Sequence, residues 1–469
     1  MLSLALAFAT APLQSSSTPP QARRPVPTTL QILPVQPQSS AATFAGDLDC
    51  ESLPPPNSTL GGGVQSNPAA DELGSAPLFA EYIIQVPNLG QERLLFQRSK
   101  IPSPRPLLVL FHKYSTNHYD PLLNTHYFQE AWRRGWNCVA PFGGNQTHYS
   151  SMPSQQRLDA VFDWIDANFA VDRARVYGVG FSMGGGAATN YAARHLDPND
   201  YVFAAVVNIS GMVSHEYTYL NELSAQPRFD DLFGVPPNPA DPWRMQRSSL
   251  FSFDPFSFVT LPDTDLARNL LHISTASFRA SGDIPYLATE NDLLQQHLLA
   301  LGANPAQHSL TVVPTAPFYH SWNVVDEGVV CNWLKTKSAQ WPSSGNTLAD
   351  RNARYFYFEV EQDVAGAFTP FQWSIQSAPN TLSLGGTRNL KRLAVHTLDA
   401  GLDRQRDVQI TLSAADGIAD ELTLLDWPTA PLDVLRDGVS SQDWSHDANA
   451  GKLSLLEFDA AAHVWTIVH

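Results

Sequence analysis

The chain is expected to fold as an α/β protein with a doubly wound, mostly parallel sheet, followed by a C-terminal all-β module of sandwich type. Three observations carry this. Between residues 106 and 314, short apolar runs alternate with stretches of helical spacing, the pattern of repeated β-α-β units. The run PLLVLFH (106–112) is apolar throughout, as in a strand buried on both faces. After residue 337 the rhythm shortens to alternating runs separated by Gly, Asp, Asn and Pro, which reads as a sandwich.

Taken in order, EYIIQV (81–86) and RLLFQR (93–98) read as a leading pair of strands ahead of 106–112. Helical spacing through Phe128, Ala131 and Trp132 stops at Gly135, and NCVAPF (137–142) is the next strand. The stretch 155–170 is amphipathic, with Leu158, Val161, Phe162 and Ile165 on one side. RVYGVGF (175–181) predicts a strand, 184–195 a helix of small residues, and FAAVVNIS (203–210) another strand. LLHIST (270–275) and SLTVVP (309–314) supply two more, with a helix over 289–301 between them.

The insertion 211–269 breaks this rhythm and carries Tyr217, Tyr219, Phe229, Phe233, Trp243, Phe251, Phe253, Phe256 and Phe258 among prolines and aspartates. So much ring surface packs on the body or faces a substrate, and packing is the ordinary outcome. In the module, strands are expected at 355–360, 371–375, 392–397, 408–412, 421–425, 432–436, 452–456 and 464–468. Trp427, Trp444 and Trp465 are core tryptophans there or docking aromatics, with core the commoner fate.

The ends divide the chain further. Residues 1–11 hold a short apolar run with small residues at Ala9 and Ala11, which suits a secretory signal and predicts a secreted protein, extracellular or periplasmic. Residues 12–76 are rich in Pro, Ser, Gln and Gly and read as a disordered linker. A catalytic domain over 77–337 and the module over 350–469 follow, joined by the Pro/Ser/Gly-rich stretch 335–354; each is expected to fold on its own. Lys+Arg is 29 and Asp+Glu 45, a formal charge of −16, which argues against nucleic acid as a partner. No run is long and apolar enough for a membrane span. The three cysteines, Cys50, Cys138 and Cys331, are scattered, which excludes a zinc ribbon and allows at most one disulfide.

The chemistry is written in RVYGVGFSMGGGAATNYAARH. Gly180-Phe181-Ser182-Met183-Gly184 is a G-x-S-x-G motif placed between a predicted buried strand and a predicted helix. A serine there needs a base for its proton and a carboxylate to orient that base, on loops after later strands in the order acid, then histidine. Asp283, in FRASGDIPY, is the first carboxylate beyond LLHIST, with Asp265, Glu290 and Asp292 as nearby alternatives. His320 lies on the loop after SLTVVP, whereas His272, His297 and His308 fall in or beside predicted elements. Two backbone N–H groups would form the oxyanion hole, from Met183 after the nucleophile and from Tyr114 in the loop after 106–112. No metal or organic cofactor is called for by this chemistry.

With LLVLFH, YGVGFSMGGG and HSW around His320, the stretch 79–337 resembles the α/β-hydrolase superfamily, in particular its secreted esterase and polyhydroxyalkanoate-depolymerase-like branch. The resemblance implies hydrolysis of carboxylic esters, small or polymeric, and suggests Trp322 as a substrate-binding aromatic. It departs from the pattern at Lys113, where these families carry glycine. Two other readings remain: a serine peptidase of the prolyl-oligopeptidase type, disfavoured because the β-module follows the hydrolase without a blade repeat, and a non-catalytic binding protein on a hydrolase scaffold.

Overall fold

The structure is a computed structural model that describes residues 30–33, 58–60, 63–66, 79–234, 243–254, 256–414, 420–457 and 461–469. The signal segment 1–11 lies outside the described residues, as does Cys50. Within the stretch read as linker, Leu30–Leu33 pairs antiparallel with Gly63–Ser66, and Ser58–Leu60 adds to the edge of the main sheet. The linker reading did not foresee these pairings.

The main sheet is built from β1 (Phe79–Val86), β2 (Gly90–Gln97), β3 (Arg105–Phe111), β4 (Asn137–Pro141), β5 (Val171–Phe181), β6 (Ala205–Ile209), β7 (Ser274–Ala280) and β8 (His308–Val313). Their spatial order is 1-2-4-3-5-6-7-8. β1, β2 and β4 pair antiparallel; every pairing from β4 through β3 to β8 is parallel. Helices cover both faces: α1 (Tyr127–Arg133), α2 (Met152–Asn168), α3 (Met183–Arg194), α4 (Pro285–Ala300) and α5 (Glu327–Leu334).

The unbroken apolar run of β3 has a two-sided explanation. Leu107, Val109 and Phe111 face one core layer with Leu158, Val161 and Ile165 of α2 and Tyr191 of α3. Leu108 and Leu110 face the other, with Phe128 and Ala131 of α1 and Val330 and Leu334 of α5. Each such fully buried side chain contributes roughly 1.5–3 kcal/mol.

One expected strand is displaced. LLHI of LLHIST belongs to a 3-10 turn (Leu266–Leu270) and the residues after it, and the strand is STASFRA. Leu270 is fully buried but lies outside the strand; mostly small residues make up β7, which is flanked by β6 and β8.

The C-terminal region is two sheets, of seven and six strands. Their inner faces meet through Phe358, Phe371, Trp373, Val395, Ile410, Leu422, Leu455 and Trp465. Trp427 and Trp465 are core residues, while Trp444 is half-buried. Four strands escaped the sequence, Ser344–Ala349, Thr381–Thr387, Val439–Ser440 and Trp444–Asp447, all short of a clear apolar alternation.

The module starts earlier than residue 350, with the strand Ser344–Ala349, and it is packed on the α/β domain. Asn269 Nδ2 donates to Leu348 O at 2.9 Å, and Leu348 N returns a bond to Asn269 Oδ1 at 2.8 Å. Arg194, fully buried at the end of α3, donates from Nε to Asp350 Oδ2 at 2.9 Å, and Arg247 reaches the same oxygen at 3.0 Å. A cleft of about 760 Å³ opens beside this seam, between Arg268–His272 and Asn346, Gln372 and Trp373. It lies ahead of β7, away from the residues that follow that strand.

Candidate active site

Ser182 joins β5 to α3 with φ 57° and ψ −125°. A non-glycine residue in that region stores on the order of 1–3 kcal/mol of strain and persists only where its surroundings fix it. They do so here by hydrogen bonds, Ser182 N to Ile209 O at 2.9 Å and Met212 N to Ser182 O at 3.1 Å. The motif glycines answer a steric demand. A Cβ at Gly180 would stand 2.0 Å from Gly184 O, and one at Gly184 would stand 2.2 Å from Phe111 O. Strand, helix and the end of β3 touch through backbone at this turn.

Asp283 follows β7 and its side chain is buried. Its Oδ1 lies 2.7 Å from His320 Nδ1 and accepts Ile284 N at 2.8 Å, while its Oδ2 accepts the Ser210 hydroxyl at 2.5 Å. With a carboxylate as partner Nδ1 carries the proton, so Nε2 is the basic nitrogen. The His320 ring rests on Phe181, centroids 4.5 Å apart, and Phe181 immediately precedes Ser182. The Asp283–His320 pair is thus brought against the residue that precedes Ser182.

The alternative acids are engaged elsewhere. Asp265 holds Arg268 and lies 3.1 Å from His297 Nε2, and Asp292 pairs with Arg279 at 2.8 Å. Glu290 is fully buried in α4; Oε2 accepts the N–H groups of Val213 and Ser214 at 2.8 and 2.9 Å, and Oε1 the Thr218 hydroxyl at 2.6 Å. Burial pushes Glu290 up to about 8, against the pull of those three donors. Glu290 thus pins the loop after β6 that carries Ser210 and Met212, a role the sequence did not single out.

Met183 opens α3, and its N–H, like that of Tyr114, has no hydrogen-bond partner among the described residues. The Tyr114 ring is 39% exposed and lies 5.7 Å from the Tyr149 ring. Tyr149 in turn packs at 4.5 Å on Phe229 of the insertion. Around Met183 gather Tyr149, Met212, Phe229, Phe233, Met245 and Leu287, with Tyr219, Ile284 and Tyr286 partly buried at the rim. Most insertion rings pack on the body in this way; Phe256 alone among the named ones is more than nine-tenths exposed. Tyr149 and Tyr286 went unread in the sequence, although Tyr286 stands three residues after Asp283.

Trp322 is not placed as expected. It is 3% exposed, stacks 5.3 Å from Phe181 and donates from Nε1 to Asp120 Oδ2 at 2.9 Å. His320, two residues earlier, faces the turn, but the indole turns inward to satisfy its N–H, so it buttresses the site and offers no surface to a substrate.

Cys138 and Cys331 are free and buried, and burial raises both thiols, so neither is a nucleophile. Among the described residues no cluster of His, Cys, Asp and Glu is arranged to hold a metal, and no helix is long and apolar enough to cross a membrane.

No family model and no curated protein matches the chain. Its architecture is similar to that of S-formylglutathione hydrolase (FrmB) from Staphylococcus aureus, at 14% identity and a TM-score of 0.40, over 55% of this chain and 97% of that one. A ferulic acid esterase is similar at 18% identity and 0.40, over 55% and 97%. The Pyrococcus horikoshii acylaminoacyl peptidase aligns at 16% identity and 0.39, over 55% of this chain but 39% of its own. With a strained G-x-S-x-G turn at the carboxyl edge of a mostly parallel, doubly wound sheet, the first part of the chain has the α/β-hydrolase fold, and an all-β region follows it.

Proposed function

We propose that this chain is an exported serine esterase, acting through Ser182, His320 and Asp283. The observation that carries the reading is a strained serine at the head of α3 beside a histidine held by a buried carboxylate. Ser182 attacks the ester carbonyl as His320 Nε2 takes its proton, and His320 returns that proton to the leaving alcohol. Water then repeats the sequence on the acyl-enzyme. Asp283, fixed by Ser210 and Ile284, keeps the imidazole in the tautomer this requires. The Met183 and Tyr114 N–H groups stabilise the developing oxyanion. The rim of Tyr219, Tyr286 and Ile284 supports an acyl or alcohol group of some bulk. Export rests on the apolar residues 2–11, and a polymeric substrate on the depolymerase-like resemblance alone.

Labelling with a fluorophosphonate tests the reading. Modification is expected at Ser182 in the wild type, and Ser182→Ala is expected to lose at least about a thousandfold in ester turnover while staying folded. A chain that cleaves peptides but not esters would favour the peptidase reading instead; an unlabelled Ser182 would leave only a binding role.

A further inference from the structure

We propose that Lys113 makes the site selective for esters that carry a carboxylate close to the scissile bond, an inference that rests on the esterase reading above. Three contacts put Lys113 at the site. The backbone carbonyls of Phe111 and His112 lie over Gly184 in the first turn of α3, so the chain entering Lys113 passes directly across the head of the nucleophile helix. The Lys113 N–H reaches Asp120 Oδ2 at 3.5 Å, the oxygen that also holds Trp322, so the loop is tied to the segment carrying His320. The ammonium stands 6.0 Å from the centroid of the Phe181 ring, on which the His320 ring also rests. Backbone and charge both converge on the turn of Ser182.

The charge of Lys113 is not spent within the protein. Acidic residues outnumber basic ones, 45 to 29, and other cations of the domain use that surplus: Arg279 is paired with Asp292, and Arg228 with Asp231. Lys113 forms no ion pair with a described residue. The buried carboxylate that meets the Lys113 backbone, Asp120, uses its oxygens on Trp322 Nε1, on Asn124 Nδ2 at 2.9 Å and on that backbone N–H. Lys113 is half-buried, so an anion there gains more than it would from a fully solvated lysine. In a strongly acidic protein the long-range field repels anions, and one unpaired ammonium at the mouth reverses the preference locally. The long flexible stem lets it meet a carboxylate on either side of the ester.

The test uses the full chain and matched soluble esters. On the acyl side, para-nitrophenyl butyrate is compared with the para-nitrophenyl monoester of glutaric acid; on the alcohol side, the butyrate ester of para-hydroxybenzamide with that of para-hydroxybenzoate. Lys113→Ala is expected to lower the anionic-to-neutral ratio of kcat/KM about tenfold in at least one arm, as loss of a charge-assisted contact does. Lys113→Arg should restore the ratio, Lys113→Glu should depress it further, and added salt should erode it in the wild type. The arm that responds identifies which side of the ester carries the carboxylate. A ratio unmoved in both arms, or equal losses on neutral and anionic esters, overturns the assignment. If Ser182 takes the fluorophosphonate and neutral esters turn over in that case, the esterase reading stands and only the role of Lys113 falls. If Ser182 stays unlabelled and no ester is cleaved, both fall together.

Discussion

His320 Nδ1 donates a 2.7 Å hydrogen bond to Asp283, whose carboxylate is wholly buried and whose other oxygen is held by Ser210. Ser210 has φ 49° and its N–H donates to Phe278 O at 2.8 Å, so the hydroxyl is delivered from the end of one strand to the loop of the next.

Asp283→Asn is therefore expected to lower ester turnover by about a thousandfold or more, because the amide favours the wrong imidazole tautomer. Combined with Ser182→Ala it should add little, since the residues act as one unit. Asp265→Asn and Asp292→Asn, whose carboxylates serve Arg268 and Arg279, should leave kcat/KM within a few-fold. Steady-state kinetics of the four variants decide; a nearly silent Asp283→Asn would sink the assignment.

Trp322→Phe should lower the melting temperature and spare KM. It removes the indole N–H and leaves Asp120 short of a donor in a buried place, at a cost of about 1–3 kcal/mol. A selective rise in KM for bulky esters with unchanged melting would return Trp322 to substrate binding.

Glu290 gives stability a pH dependence on the alkaline side. Its folded value of about 8 lies above the ordinary 4.5, so the folded state holds the proton more tightly. That contribution is full below about pH 4.5 and is lost as pH rises toward 8, by at most about 1.4 kcal/mol per unit. Glu290→Gln keeps an acceptor for Val213 and Ser214 and does not ionise. Denaturant melts at intervals from pH 5 to 8 should show a flatter profile for the variant; equal slopes would mean Glu290 does not titrate in this range.

Asp350→Ala should destabilise the whole chain. Burial alone would raise this carboxyl, but Arg194, Arg351 and Arg247 outweigh it and hold Asp350 well below its usual range. Its stabilising contribution is present above the ordinary carboxylate value of 3.8 and is lost on acidification below it. Removing the carboxylate leaves Arg194 charged and unpaired in the interior, a loss of about 3–5 kcal/mol. By the same argument, a chain ending near Ser344 should be insoluble or melt far lower, contrary to what the linker-like sequence suggests. A truncated chain with the wild-type melting temperature would show the seam to be dispensable.

The Ser182 turn was legible because its determinants are local: small residues at Gly180 and Gly184 are dictated by contacts within a few residues or with the adjacent strand. The Asp283–His320 pair was legible because chain order and loop position limit the candidates. Trp322 was misread because adjacency to His320 says nothing of which way an indole turns. The seam was invisible for another reason. Arg194 and Asp350 are 156 residues apart, and a Pro/Ser-rich stretch such as 335–354 reads the same whether it swings free or runs along a neighbour.

Helix α3 begins at Met183 beside the candidate nucleophile and ends at Arg194, clasped by Asp350. It is a shaft with one bearing in each half of the molecule. The sandwich is therefore no portable accessory. Transplanted onto another α/β domain, it would arrive with a buried carboxylate seeking a guanidinium that only a matching helix end supplies. Exchanged for a foreign module, it would leave the far end of α3 carrying an orphaned charge in a buried seam. The two halves can change over time only as a couple.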